Sequence, residues 1–101
     1  MTIDEKDQWQ LNAISNPVSF GYWRHVNGGT YIVYSNSVFE ENGAMMVEYF
    51  SLLKHTRWSR KREVFCTRFH FWRIATIEEL STAAFGGPDE IRRVFGSGVG
   101  R

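Results

Sequence analysis

The sequence predicts an α+β fold: a small, curved antiparallel sheet of SH3-like or half-barrel type, with short helices toward both ends of the chain. Three observations carry that prediction. Residues 20 to 53 run in strand period and are punctuated by Asn27-Gly28-Gly29 and Glu41-Asn42-Gly43, whose Asn and Gly accept the positive φ of tight turns. Residues 76 to 95 carry helix-capping signals and a proline after a glycine pair, which mark short helices. At 101 residues the chain suffices for one domain with one core, and a 16% aromatic content supplies burial that length does not.

The elements follow in order. Thr2-Ile3-Asp4-Glu5 has the form of a capping box, in which hydroxyl and carboxylate each satisfy a free backbone N–H. Residues 1 to 16 therefore read as a short helix or an acidic arm, closed by Asn16-Pro17. Phe20 to Val26 is the first strand. Thr30 to Phe39 is the second, with Tyr31 and Val33 on one face and Ile32 and Tyr34 on the other, and Ala44 to Leu53 is the third, completing a meander. A polar corner, Lys54 to Arg57, leads into one or two further strands over Trp58 to Ile74. Read as a strand, Phe65 to Arg73 sets Phe65, Thr67, Phe69 and Phe71 on a core face and Cys66, Arg68, His70 and Trp72 on the opposite one. Thr76 caps a helix running to about Phe85, Gly86-Gly87 stop it, and Pro88 opens another to Phe95. Residues 17 to 95 then form a single β-rich domain, and 96 to 101 a glycine-rich flexible tail.

Net charge is +1, but its distribution is polarised. Lys54 to Arg73 holds seven of the twelve Lys and Arg residues against one acid, Glu63, whereas residues 1 to 53 sum to −4. Because charge is felt patch by patch within a Debye length, such a moment can orient a nearly neutral molecule toward a polyanion. Paired charges on neighbouring strands are the alternative. The cations are interleaved with Trp58, Phe65, Phe69, Phe71 and Trp72, a composition that both neutralises phosphates and stacks on flat rings. Earlier in the chain, Arg24 and His25 point to opposite faces of their strand, so one of them meets a ligand or fixes turn carbonyls near Tyr31, Tyr49 and Trp58.

Other chemistry is poorly supported. Cys66, His70, His25 and His55 form no paired metal-ligand motif, and Cys66 lacks a recognisable oxyanion loop or orienting acid, so neither a metal, a cofactor nor catalysis is expected. A single cysteine forbids an intrachain disulfide and fits a reducing cytoplasm, and no run approaches the ~18 apolar residues of a membrane span, so no membrane association is expected.

The run Trp23-Arg24-His25, then Gly28 or Gly29, Tyr31, Val33, Met46-Val47-Glu48-Tyr49 with Leu52, and Trp58-Ser59-Arg60 ahead of Phe65 resembles a family of short bacterial and phage domains of unknown function. Those domains read roughly Y-R-H-x-x-G-x-x-Y-x-V, V-V-Y-x-x-L and W-x-R-P-x-x-x-F at similar separations. The resemblance covers a little under half of the chain and implies a compact SH3-like half-barrel, with no activity to carry over. Lys61 stands where the family has proline, and Lys54-His55-Thr56-Arg57 replaces a glycine-rich corner, so the basic character belongs to this chain.

Two functions fit. The first is a non-enzymatic module for an anionic, ring-bearing partner, single-stranded nucleic acid or a nucleotide, in which Arg57, Arg60, Lys61, Arg62 and Arg68 meet phosphates, Trp58 and Trp72 stack on bases, and Arg24, His25 and His70 complete the surface. The second is a protein-interaction module, such as a phage-encoded inhibitor or adaptor, using the same Arg/Trp surface on a host protein. An exposed aromatic sheet edge also allows a homodimer.

Overall fold

A computed structural model describes residues 18–38 and 41–96. The expected N-terminal helix or arm and most of the C-terminal tail lie outside the described residues. Runs of aromatic and β-branched residues form β1 (Gly21–His25), β2 (Thr30–Val38), β3 (Met45–Ser51), β4 (Arg57–Lys61) and β5 (Phe69–Arg73). All neighbours pair antiparallel in one five-stranded sheet of order β4-β3-β2-β1-β5, which leaves β4 and β5 as its edges. The meander expected over residues 20 to 53 is present.

The central strands are apolar on both faces, so a layer must cover each. On one face Tyr22, Ile32, Phe50 and Leu52 pack against Ala83, Ile91 and Phe95 of α2 (Ile77–Phe85) and α3 (Pro88–Phe95). On the other, Val18, Val33, Val47, Tyr49 and Phe69 gather around Phe65 of α1 (Arg62–Arg68). The signals read for the two C-terminal helices hold: Thr76 forms a complete capping box with Glu79, and Pro88 opens α3. No helix among the described residues is long and apolar enough to cross a membrane.

α1 corrects the reading of residues 65 to 73 as one continuous strand. Phe65, Thr67, Phe69 and Phe71 imitate a two-residue period, yet among residues 62 to 68 only Phe65 is buried, the pattern of a two-turn helix burying one side chain on a sheet. Glu63 in the first turn and Arg68 in the last complement the helix dipole. The aromatic contact survives the change of conformation: Phe65 and Phe69 stack with ring centroids 4.2 Å apart. Thr67 and Phe71 are exposed rather than core.

Two irregularities steer side chains. Tyr34 is skipped in the β2–β3 register, so Tyr34 and Ser35 both turn toward α2. Trp72 is skipped in the β1–β5 register, where Tyr22 pairs with Arg73 and Trp23 with Phe71. Beside that bulge the strands approach closely at Gly21, whose φ is +138° and where a Cβ would lie 2.5 Å from the Arg73 carbonyl oxygen. The sheet is tied to its helices by Arg57, whose Nε donates to the Ala83 carbonyl at 2.7 Å and whose guanidinium also donates to that of Gly86 at 2.8 Å. Glu79, half-buried, accepts from the Tyr22 hydroxyl and the Thr76 N–H. Burial pushes its carboxyl up, but those donors outweigh burial and hold it below its ordinary value.

Gly21→Ala is expected to destabilise the fold by about 1–3 kcal/mol, from positive-φ strain and the Arg73 clash together. A urea midpoint equal to that of the parent chain would show that β5 does not pack against β1 in this way.

Candidate functional site

The strand period determines which side chains meet on the α1 side of the sheet. β1 ends there with His25, β2 contributes Tyr31, β3 Tyr49 and Ser51, β4 Trp58 and Arg60, and β5 begins with Phe69. Together with Lys54 these line a cleft of about 210 Å³. α1 covers the neighbouring part of this face through Phe65, and the cleft lies beside it.

The walls are a set of interlocked rings. Tyr31 meets Tyr49 at 5.6 Å and Phe69 at 5.1 Å, both edge to face, and His25 meets Phe69 edge to face at 4.8 Å. Such geometry sets each ring's positive edge against its neighbour's electron-rich face and fixes the walls in place. His25 Nδ1 accepts the Asn27 N–H at 3.0 Å, which leaves Nε2 to carry the proton of the neutral ring. Trp58 directs its indole N–H to Thr56 Oγ1 at 2.7 Å, and with 48% of its surface exposed it presents an open stacking face.

Charge in the cleft has one sign. Lys54 and Arg60 line it and no carboxylate does. Arg60 lies with its guanidinium carbon 5.9 Å from the Phe69 centroid and close enough to the Tyr49 phenol to act on it electrostatically. Burial pushes that phenol above its ordinary value, while Arg60 pulls it part of the way back. Lys54 is presented by a tight turn in which Ser51 N–H bonds the Thr56 carbonyl and His55 adopts a φ of +55°.

The basic residues singled out in the sequence do not share one patch. His25, Trp58 and Arg60 face the cleft, whereas Arg24, His70 and Trp72 lie on the opposite side, where the Arg24 guanidinium carbon stands 3.8 Å over the Trp72 ring. Arg57 faces α2 and is bound to its C-terminal carbonyls. Lys61 is exposed at the end of β4, Arg62 opens α1 with its Nε buried and unpartnered, and Arg68 is exposed in the last turn of that helix. Lys54, Tyr31, Tyr49, Ser51 and Phe69 were not among the residues proposed for the site. The signal that could have found them is the alternation itself, which aligns Tyr49 with Trp58 across β3 and β4. Among the described residues, no group of three or more His, Cys, Asp and Glu side chains is arranged to hold a metal ion.

No family model matches the chain, and neither a curated protein nor a solved structure does.

The Tyr49 phenol provides a check on the cleft. Its folded pKa is raised above 10.0, so the neutral phenol's contribution to stability is complete below that pH and is lost as pH climbs through the folded value. In an alkaline titration followed by phenolate absorbance, the component appearing above pH 10.0 should shrink in Tyr49→Phe and shift to still higher pH in Arg60→Gln. An Arg60→Gln titration superimposable on the parent curve would separate Arg60 from Tyr49.

Proposed function

We propose that the chain is a non-enzymatic binding module for a planar, anionic ligand, a base of single-stranded nucleic acid or a nucleotide, received in the cleft between Trp58 and Tyr31. The observation that carries this reading is the coincidence of an aromatic lining with Lys54 and Arg60 and with no carboxylate. An aromatic box alone would also suit a cationic ligand. Two cations in the lining reverse that preference, because like charges repel where an anion is drawn in. Size narrows the ligand further. A cleft of about 210 Å³ is smaller than the ~300–1,000 Å³ typical of sites that enclose a drug-sized molecule, so it suits one ring with the phosphate at its rim.

Catalysis is not part of the proposal. Ser51 Oγ accepts the Lys54 N–H and His25 Nδ1 accepts the Asn27 N–H, so the lining's hydroxyl and imidazole are each engaged in a turn. In this reading the sheet is an SH3-like half-barrel, its two edges bridged by α1 and β5 returning to β1. The likeness to short bacterial and phage domains belongs to the same proposal, since His25, Tyr31, Tyr49 and Trp58, which carry it, come from four strands to one cleft.

Titration with a nucleoside monophosphate and a short oligonucleotide at low salt should quench tryptophan fluorescence. Trp58→Ala should raise Kd about 5- to 150-fold, the loss of one stack worth about 1–3 kcal/mol. Arg60→Ala should weaken binding and flatten its salt dependence by about 0.7 in log–log slope for a single-stranded ligand. Absence of quenching by any nucleotide or oligonucleotide at low salt overturns the proposal.

A second reading, a protein-interaction module acting as an inhibitor or adaptor on a host protein, has its own observation. On the α2 side a largely apolar groove of about 360 Å³ is lined by Phe20, Tyr34, Leu80 and Ala84, with Ile77 and Phe85 almost fully exposed beside it. If this groove rather than the cleft is the functional surface, Ile77→Asp with Phe85→Asp should abolish activity in cells while Trp58→Ala leaves it intact. The reverse outcome favours the cleft.

A further inference from the structure

Resting on the nucleic-acid reading of the cleft, we propose that the opposite face of the β1–β5 pair carries a second, phosphate-binding site. Arg24 and Arg73, held on the ring of Trp72, there receive a phosphodiester of the same single strand whose base occupies the cleft. The ligand would round the β5 edge, making the module one for oligonucleotides rather than for mononucleotides.

The bulge at Trp72 makes this site. In an unbroken strand Trp72 and Arg73 would point to opposite sides, but the skipped residue turns both toward Tyr22 and Arg24. The Arg73 guanidinium carbon lies 4.1 Å from the Tyr22 centroid and 4.7 Å from that of Trp72, while Arg24 lies 3.8 Å from the same indole. Two like charges thus share one ring. The ring attracts each of them, but it does not use their N–H forks, which lie in the guanidinium plane. Neither Arg24 nor Arg73 makes an ion pair or side-chain hydrogen bond among the described residues.

Among the described residues, neither β1 nor β5 supplies an acid to neutralise the pair, and His70, opposite Arg24 in the register, adds a third nitrogenous side chain. Glu79 approaches from α2 and attracts Arg73 through space without an ion pair, its oxygens accepting from the Tyr22 hydroxyl and the Thr76 N–H. One carboxylate against two guanidinium groups leaves the face with an excess of positive charge. An anion bridging the two forks would relieve the repulsion, and a phosphodiester offers the oxygens to do so. The 44% of Trp72 that remains exposed leaves indole surface for a neighbouring base.

Continuity with the cleft selects a single strand over an isolated phosphate. Phe69 lines the cleft on one face of β5, and Trp72 stands three residues further on the other face, about 10 Å along the strand. β5 is an edge of the sheet, so nothing in the sheet separates the two sites on that side. Several nucleotides are needed to contact both, in keeping with the ~4–16 nucleotides that single-strand binding domains cover.

The test compares thymidine monophosphate with a ten-residue oligothymidylate on the full chain, with Arg24→Gln combined with Arg73→Gln. The expected result is at least a tenfold rise in Kd for the oligonucleotide, a salt slope flatter by about 0.7 for the one lost phosphate contact, and an unchanged Kd for the monophosphate. Trp58→Ala should weaken both ligands. His70→Glu places a negative charge on the same face without touching the Trp72 stack and should likewise weaken only the oligonucleotide, which keeps the test decisive if the double variant fails to fold. Oligonucleotide affinity within twofold of the parent in both variants overturns the second site while leaving the cleft standing. So does loss of binding to polyglutamate with oligonucleotide binding unaffected, an outcome that assigns the face to an acidic peptide. Failure of the parent chain to bind either thymidylate overturns both sites.

Discussion

The central pair of strands buries both of its faces, and most of the molecule follows from that. Ile32, Val33, Val47 and Phe50 are fully removed from water, and each side chain of this kind contributes about 1.5–3 kcal/mol when buried. Adjacent residues such as Ile32 and Val33 point to opposite sides, so one helical layer cannot cover them all. α2 and α3 supply one cover and α1 the other. The second cover is short. Phe65 is its one buried residue, and the cleft lies beside it on that face.

The same alternation separates the positive charges by role. Trp58 and Arg60 face the cleft, while Arg57, one residue away from Trp58, is turned toward α2 and satisfies carbonyls at that helix's C-terminal end. Hydrogen bonds from a charged donor contribute about 1.5–3 kcal/mol, so Arg57 joins sheet to helix as part of the fold. A basic stretch in the sequence therefore supplies a structural arginine, the cations of the cleft, and Arg73, which joins Arg24 of β1 on the opposite face.

Within the cleft, rigidity and charge act together. The interlocked rings fix its walls, and the Tyr49 phenol, neutral through the physiological range as any tyrosine is and pushed higher by burial, remains a hydrogen-bonding group. Arg60 lies beside it, near the Phe69 ring. Under the proposed binding, little reordering would be needed for a ring to enter, which would favour affinity because fewer side chains must be immobilised.

Much of this architecture was legible in the chain. The turns at Asn27 and Asn42, the faces of Tyr31 and Ile32, the Thr76 capping box and the Pro88 helix start are local signals, each set by residues within one turn or one strand, and they hold. Residues 62 to 68 were not legible, because their aromatic spacing fits a strand and only the need to cover Val47 and Tyr49 makes them a helix. Nor was the division of Arg24, Trp72 and Arg73 from Trp58 and Arg60, which depends on strand pairing and on a bulge between segments some fifty residues apart. Composition thus determined that cations and rings would accompany one another. Which of them meet was decided by long-range packing, since a side chain's direction depends on a register that no local stretch of sequence specifies.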